Sequence, residues 1–249
     1  MNRKQLTSGL LATAAAALAS CSSTPKTAPT SPATEKLKSM SDKLAAAKSL
    51  RFTATRESSP GFSVGLKVAE HATINGAVVR PNQVAIASTS SLGRRTVKYD
   101  GKNVTVIDHT AGTHATVPAP ATSDATLMKI EEVYGFLPPL SELLVNDPAG
   151  FLLSGVDSSE VVGTEKIAGA ACDHLRFHQE RLTIDVWIDA ATQLPKRLGV
   201  TYPNGQGGAP LTSTATITSL QLGAAVSASE FTAAPPASSR LIEMIPLQD

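Results

Sequence analysis

The stretch Ala171–Tyr202, ACDHLRFHQERLTIDVWIDAATQLPKRLGVTY, decides how the rest of the chain is read. It contains three strand-like runs separated by two turns. Leu182, Ile184, Val186 and Ile188 alternate with Thr183, Asp185, Trp187 and Asp189. Successive strand side chains face opposite sides of a sheet, so this run has one apolar and one polar face. Leu175 and Phe177 alternate in the same way with His174, Arg176 and His178. Leu198, Val200 and Tyr202 alternate with Arg197 and Thr201. A meander with one apolar face needs a cover, and what supplies that cover is the functional question.

Outward from this stretch the period stays at two over most of the chain. Between Leu50 and Val117, five or six antiparallel strands are expected, with Phe52 and Ala54 in the first. Val64, Leu66, Val68, Ala72 and Ile74 share one face, and Val84 with Ile86 comes next. Val97 and Tyr99 lead into Asp100-Gly101, a tight-turn pair, and Val104 and Val106 lead out. Ser158–Gly169 reads as a further strand. Near the C-terminus, Leu211, Ser213, Ala215 and Ile217 alternate with threonines, and Leu220 and Leu222 then change face. That change implies a bulge near Ser219.

Two segments have a helical period instead. Leu37, Met40, Leu44 and Ala47 make one apolar stripe within 34–50. In mid-chain, Thr122, Ser123 or Asp124 can cap a helix running to Tyr134, with Leu127 and Ile130 inward. Pro138-Pro139 stops it, and Leu140, Leu143 and Leu144 form a second short helix. Phe151, Leu152 and Leu153 form a further apolar knot. Helices placed between two β-runs are expected to lie across the apolar sheet face as a lid. The fold class expected is mainly β with helices (α+β).

The N-terminus reads as a targeting segment. Arg3 and Lys4 precede a short apolar run, Leu10–Leu18, which is too short to span a bilayer. Leu18-Ala19-Ser20-Cys21 resembles the lipobox of bacterial lipoproteins. That resemblance implies a signal peptide over 1–20 and a diacylated Cys21, with the membrane as a partner through it. An ordinary signal peptide cut near Ala19, with a free Cys21, is the plainer alternative. Ser22 in place of Asp implies sorting to the periplasmic face of the outer membrane, where the enterobacterial rule applies. Residues 21–33, rich in Pro, Ser and Thr, read as the lipidated Cys and a flexible tether. The domain is expected over 34–236 and a tail over 237–249; about 215 residues beyond the tether suit a single domain.

Charge and motifs exclude several classes. Removing residues 1–20 takes away Arg3 and Lys4 and no acid, which leaves 20 basic and 21 acidic residues. This balance argues against a nucleic-acid partner. Cys172 reads as a buried small apolar residue rather than a nucleophile. His174 and His178 lie too far apart on a strand, roughly 13 Å, to share a metal, and read as part of a solvated polar face. His109 and His114 flank a turn and could approach each other, but they lack further ligands. Asp185 and Asp189 share a face without the aromatic cleft of a glycosidase. No Walker or Rossmann motif occurs. No enzyme activity, no cofactor and no metal are therefore expected.

A set of short motifs in fixed order carries a family resemblance. Met40-Ser41 with Ala45–Ser49, Arg80-Pro81-Asn82, Tyr99-Asp100-Gly101-Lys102 and Ala115-Thr116-Val117-Pro118 resemble the predicted periplasmic proteins of domain-of-unknown-function family 2092. So do Tyr134-Gly135, Pro138-Pro139-Leu140, Asp147-Pro148, Cys172-Asp173-His174-Leu175, Trp187-Ile188 and Leu194-Pro195-Lys196-Arg197. The resemblance spans nearly all of 37–236. It implies kinship with the lipoprotein-carrier superfamily, the Lol carrier and receptor. The fold implied is a half-open antiparallel β-barrel with helices covering the concave face and an apolar cavity for acyl chains. On that basis the cavity-lining residues are Leu66, Val68, Val84, Ile86, Leu127, Ile130, Leu143, Leu144, Ile184, Val186, Leu198 and Val200. The function expected is binding of a lipid or lipoprotein acyl chain. The alternative is a structural or assembly module of the envelope, with a filled core and a protein partner docked on its polar convex face near Arg176, Asp185 and Trp187. A cavity too small for an alkyl chain would favour the alternative.

Overall fold

A computed structural model describes residues 30–62, 67–203 and 208–247. The expected signal peptide, Cys21 and most of the tether lie outside the described residues, as do Val64, Leu66 and the Gly-rich loop at 204–207. The described chain opens with helix α1 (Pro32–Ala46), followed by six strands: β1 (Ser49–Ser58), β2 (Glu70–Val79), β3 (Gln83–Ser90), β4 (Gly93–Tyr99), β5 (Asn103–Asp108) and β6 (Thr113–Pro118). The mid-chain insert holds α2 (Ser123–Tyr134), α3 (Ser141–Leu144) and α4 (Pro148–Leu153). Five strands follow: β7 (Val156–Ile167), β8 (Ala170–Gln179), β9 (Thr183–Asp189), β10 (Pro195–Tyr202) and β11 (Leu211–Leu222). A two-residue strand, β12 (Arg240–Leu241), ends the order.

All twelve strands form one sheet, in the order β12-β6-β5-β4-β3-β2-β1-β11-β10-β9-β8-β7. The two meanders join where β1 pairs with β11. The sheet does not close, because β7 and β12 are its edges. The architecture is the half-open barrel with helices that the sequence led us to expect. The Asp100-Gly101 turn is present: Asp100 Oδ1 accepts from the N–H groups of Lys102 and Asn103, and Gly101 sits at φ 93°. The expected bulge is also present. Thr53 pairs with Ser219 and Ala54 with Ile217, which leaves Thr218 as the extra residue and brings Leu220 and Leu222 onto the face of Ile217.

Three boundaries differ from expectation. Helix α1 begins at Pro32, two residues early, because Ser31 caps it and a proline suits the first helical turn. It ends at Ala46, so Leu50 belongs to β1. Val68 is exposed (59%) and lies outside β2, so it does not share the face of Ile74. The reason is pairing: β1 ends at Ser58 opposite Glu70, and residues 67–69 have no strand beside them.

The tail is held to the body. Arg240 and Leu241 pair in parallel with Thr113 and His114, and Leu247 N–H donates to Val133 O at 2.8 Å on α2. This covers one sheet edge, whose bare N–H and C=O groups otherwise invite pairing with another chain.

Candidate functional site

The core lies between the concave face of the sheet and the four helices. Leu37, Met40 and Leu44 of α1 are at most 1% exposed, as are Leu143 and Leu144 of α3. Val84, Ile86, Leu127, Ile130, Val186 and Leu198 are buried in the same cluster, and half-buried Ile184 packs against it. These expected cavity-lining residues are thus brought together. Val200 is half-buried at the open end, and Val68 is not part of the site. Close approach of strand and ring makes one glycine necessary here. A Cβ on Gly76 would lie 2.2 Å from Cζ of Phe52, whose ring covers that position.

A polar clasp ties the helices to the sheet at one end. Arg80, just after β2, donates from Nε to Leu44 O (3.3 Å), from Nη2 to Leu143 O (3.5 Å) and from Nη1 to Val145 O. These carbonyls stand at the C-terminal ends of α1 and α3, where a positive charge is favourable. Burial lowers the Arg80 pKa, and the nearby Asp124 carboxylate opposes that shift. Asp124, in the first turn of α2, accepts from Asn146 N (2.9 Å to Oδ2) and Asp147 N (3.2 Å), and also from Asn146 Nδ2. Pro81 O receives Ser123 N (3.0 Å) and Asn146 Nδ2 (3.1 Å). The Arg80-Pro81-Asn82 turn therefore gathers α1, α2 and the α3–α4 connection at one place. Sequence reasoning marked this turn as a motif but gave it no role.

The space beneath the helices is nearly filled. The larger of two crevices under α2 holds about 260 Å³ of empty space, part of it open to solvent, between Val84, Val97, Tyr99, Leu127, Ile130 and Pro138. Its neighbour holds about 180 Å³, likewise partly open to solvent. Ligand pockets run to roughly 300–1,000 Å³, so neither of these two crevices is large enough to hold an alkyl chain. The helix over these pockets, α2, is also the one with an exposed apolar residue, Met128 (64%). Beside it in α3, half-buried Glu142 has its carboxyl pushed up by desolvation to about 7, against the pull of its own backbone N–H.

The convex face is less solvated than its sequence suggests. His174 is 4% exposed and Asp185 8%. The His174 ring bonds through Nδ1 to Glu165 Oε1 (2.7 Å) and through Nε2 to Asp185 Oδ1 (2.6 Å), and it stacks on Trp187 at 4.2 Å. Arg176 Nε also donates to Asp185 Oδ1, Trp187 Nε1 donates to Glu165 Oε2, and the Arg197 guanidinium lies over the indole. The cause is the ladder: His174, Trp187 and Arg197 are direct cross-strand neighbours, a pairing that one strand's alternation does not reveal.

The residues weighed for chemistry in the sequence have other partners in the structure. Both nitrogens of His174 are occupied, so it is no base for Cys172, which is fully buried and whose thiol burial pushes up. Asp189 accepts from Ala191 and Thr192 N–H groups in a turn and makes no carboxylate pair with Asp185. His109 and His114 do not converge; they bond to Thr96 and Ser239.

Solved structures with related architecture share little sequence. An uncharacterized conserved protein from Thermus thermophilus matches with TM-score 0.48 and 8% identity over 85% of this chain and 96% of its own. MucB of Pseudomonas aeruginosa, in complex with MucA, matches with TM-score 0.44 and 18% identity over 85% of this chain and 64% of its own. The Mycobacterium tuberculosis lipoprotein LppX matches with TM-score 0.45 and 12% identity over 79% of this chain and 97% of its own. None of the curated proteins matches the sequence. The family is clear: over residues 33–245 the chain matches the predicted periplasmic proteins, DUF2092, and it belongs to that family.

Proposed function

We propose that this periplasmic protein binds the acyl chain of a lipid or lipoprotein on its concave face after its helices lift, and that acylation of Cys21 anchors it to the outer membrane. The observation that carries the reading is the Arg80 clasp. The helices meet the sheet through apolar side chains, and one guanidinium gathers the carbonyl ends of α1 and α3 at a single edge. Apolar contact is non-directional and can be exchanged for contact with an alkyl chain. The Arg80 clasp then helps to define the closed state, in which the cavity is collapsed. Helix α2, which covers the pockets, is the element a chain would displace first.

Native mass spectrometry of protein carrying Cys21→Ser, after exposure to envelope lipids and acylated peptides, tests the reading. Recovery of a one-to-one lipid adduct supports it. Recovery of empty protein alone overturns it in favour of a second reading, which the filled core favours: an envelope assembly module with a protein partner on its convex face. Lipidation has its own test. A palmitate analogue should label the native chain and not the Cys21→Ser variant.

A further inference from the structure

The concave face changes character along its length, and it does so at the same register on neighbouring strands. The row Phe52, Gly76, Ile86 and Val97 is apolar. One row further from Arg80, Ala54 and Ile74 stand beside Ser88 and Arg95. In the next row Arg56 faces Ala72 and Ala215, and in the last Ser58 lies between Glu70 and Ser213. A face that is apolar at one end and polar at the other fits an amphiphile lying along it.

Arg56 stands at the boundary. Its Nη2 donates to Glu70 Oε2 at 3.0 Å, and the hydroxyls of Ser58 and Ser213 share a 2.9 Å hydrogen bond beside them. Among the described residues, Arg56 Nε is the one buried side-chain polar atom without a hydrogen-bond partner. Buried donors in folded proteins are almost always paired, so an N–H left open at this boundary marks a place for an acceptor. The Nε atom itself is buried and the Arg56 side chain as a whole is 21% exposed, so an acceptor reaches Nε as part of the opening proposed above.

We infer that Arg56 Nε–H is the polar anchor for an acyl ligand, donating to the carbonyl oxygen of the ester or amide that joins chain to head. This rests on the acyl-binding reading above and adds the chemistry of the head. Glu70 already neutralises the guanidinium, so a neutral acceptor is favoured over a phosphate or free carboxylate, which would meet the Glu70 charge as well. From Arg56 the apolar rows continue through Ala54 and Phe52 to Leu50, about 20 Å along the strand, which gives the chain its course.

The test compares 1-palmitoylglycerol with 1-O-hexadecylglycerol, an ester and an ether of similar length and charge, on the full chain carrying Cys21→Ser. The ester should bind about tenfold more tightly, the effect of one charge-assisted hydrogen bond. Palmitate, an anion, should bind no more tightly than the ester. Arg56→Lys keeps the charge beside Glu70 and removes Nε–H, so it should reduce the preference for the ester. Equal affinity of the native site for ester and ether overturns the inference without recourse to any variant, and so does a preference that survives undiminished in Arg56→Lys. Binding of neither lipid overturns the acyl reading itself, and this inference with it.

Discussion

Replacing Arg80 with Met keeps much of the buried aliphatic stem and removes the guanidinium. Three carbonyl groups then lose their donor: Leu44 O, Leu143 O and Val145 O. A hydrogen bond to a charged group contributes about 1.5–3 kcal/mol when well formed. Two of these contacts are long, at 3.3 and 3.5 Å, so we count one full bond and two weak ones. The desolvation that lowers the Arg80 pKa is relieved in the variant and offsets part of the loss. The net cost should be about 3 kcal/mol. With a urea slope of about 3 kcal/mol per molar, the unfolding midpoint should fall by about 1 M. Amide exchange should quicken at the ends of α1 and α3 while β8 and β9 keep their protection, because the clasp touches the helices alone. A midpoint shift below about 0.2 M, with exchange at residues 141–147 unchanged, would refute the clasp.

Other perturbations separate sheet from helices. Gly76→Ala places a methyl group against the Phe52 ring and should cost about 1–3 kcal/mol by thermal unfolding, whereas trimming the ring in Phe52→Leu should recover part of that loss. Val186→Ala should cost about 1–3 kcal/mol, since it opens space in a fully buried strand position. Leu127→Ala, beside a pocket that is already partly empty, should cost less and alter lipid affinity more. Glu142 gives a pH signature. Its carboxyl is raised from 4.5 to about 7 in the fold, so the stability it contributes is complete below pH 4.5 and is lost as pH rises through 7. Glu142→Gln should remove this slope, on the order of 3 kcal/mol between those limits, and an unchanged slope in urea titrations would contradict the assignment.

What the sequence disclosed followed from periodicity, and what it hid followed from distance along the chain. Alternation over Leu182–Ile188 identified an inward and an outward face, and the change of face at Leu220 marked the bulge, because side-chain direction is local. Local pattern says nothing about where a partner strand stops. Val68 therefore looked inward, although β1 had already ended at Ser58. His174 looked solvated because its partners, Glu165 and Asp185, sit on two other strands. Arg80 lay in a motif and looked like an ordinary turn cation; its acceptors lie 36, 63 and 65 residues away. Whether the concave face was hollow could not be read at all, because that depends on how closely Leu37, Leu127 and Leu144 fit the sheet. The fit is close among the described residues, with narrow crevices under α2.

Hydrogen exchange across residues 123–146 and 183–188, with and without an acylated peptide, tests the central claim most directly. Elements that open to admit a ligand belong to the low-stability end of a fold. In the free protein α2 and α3 should exchange faster than β9, and they should slow when the acyl chain is bound. Equal protection of both segments, unaltered by any acyl ligand, would show that the helices are permanent core and that the protein carries no lipid beneath them.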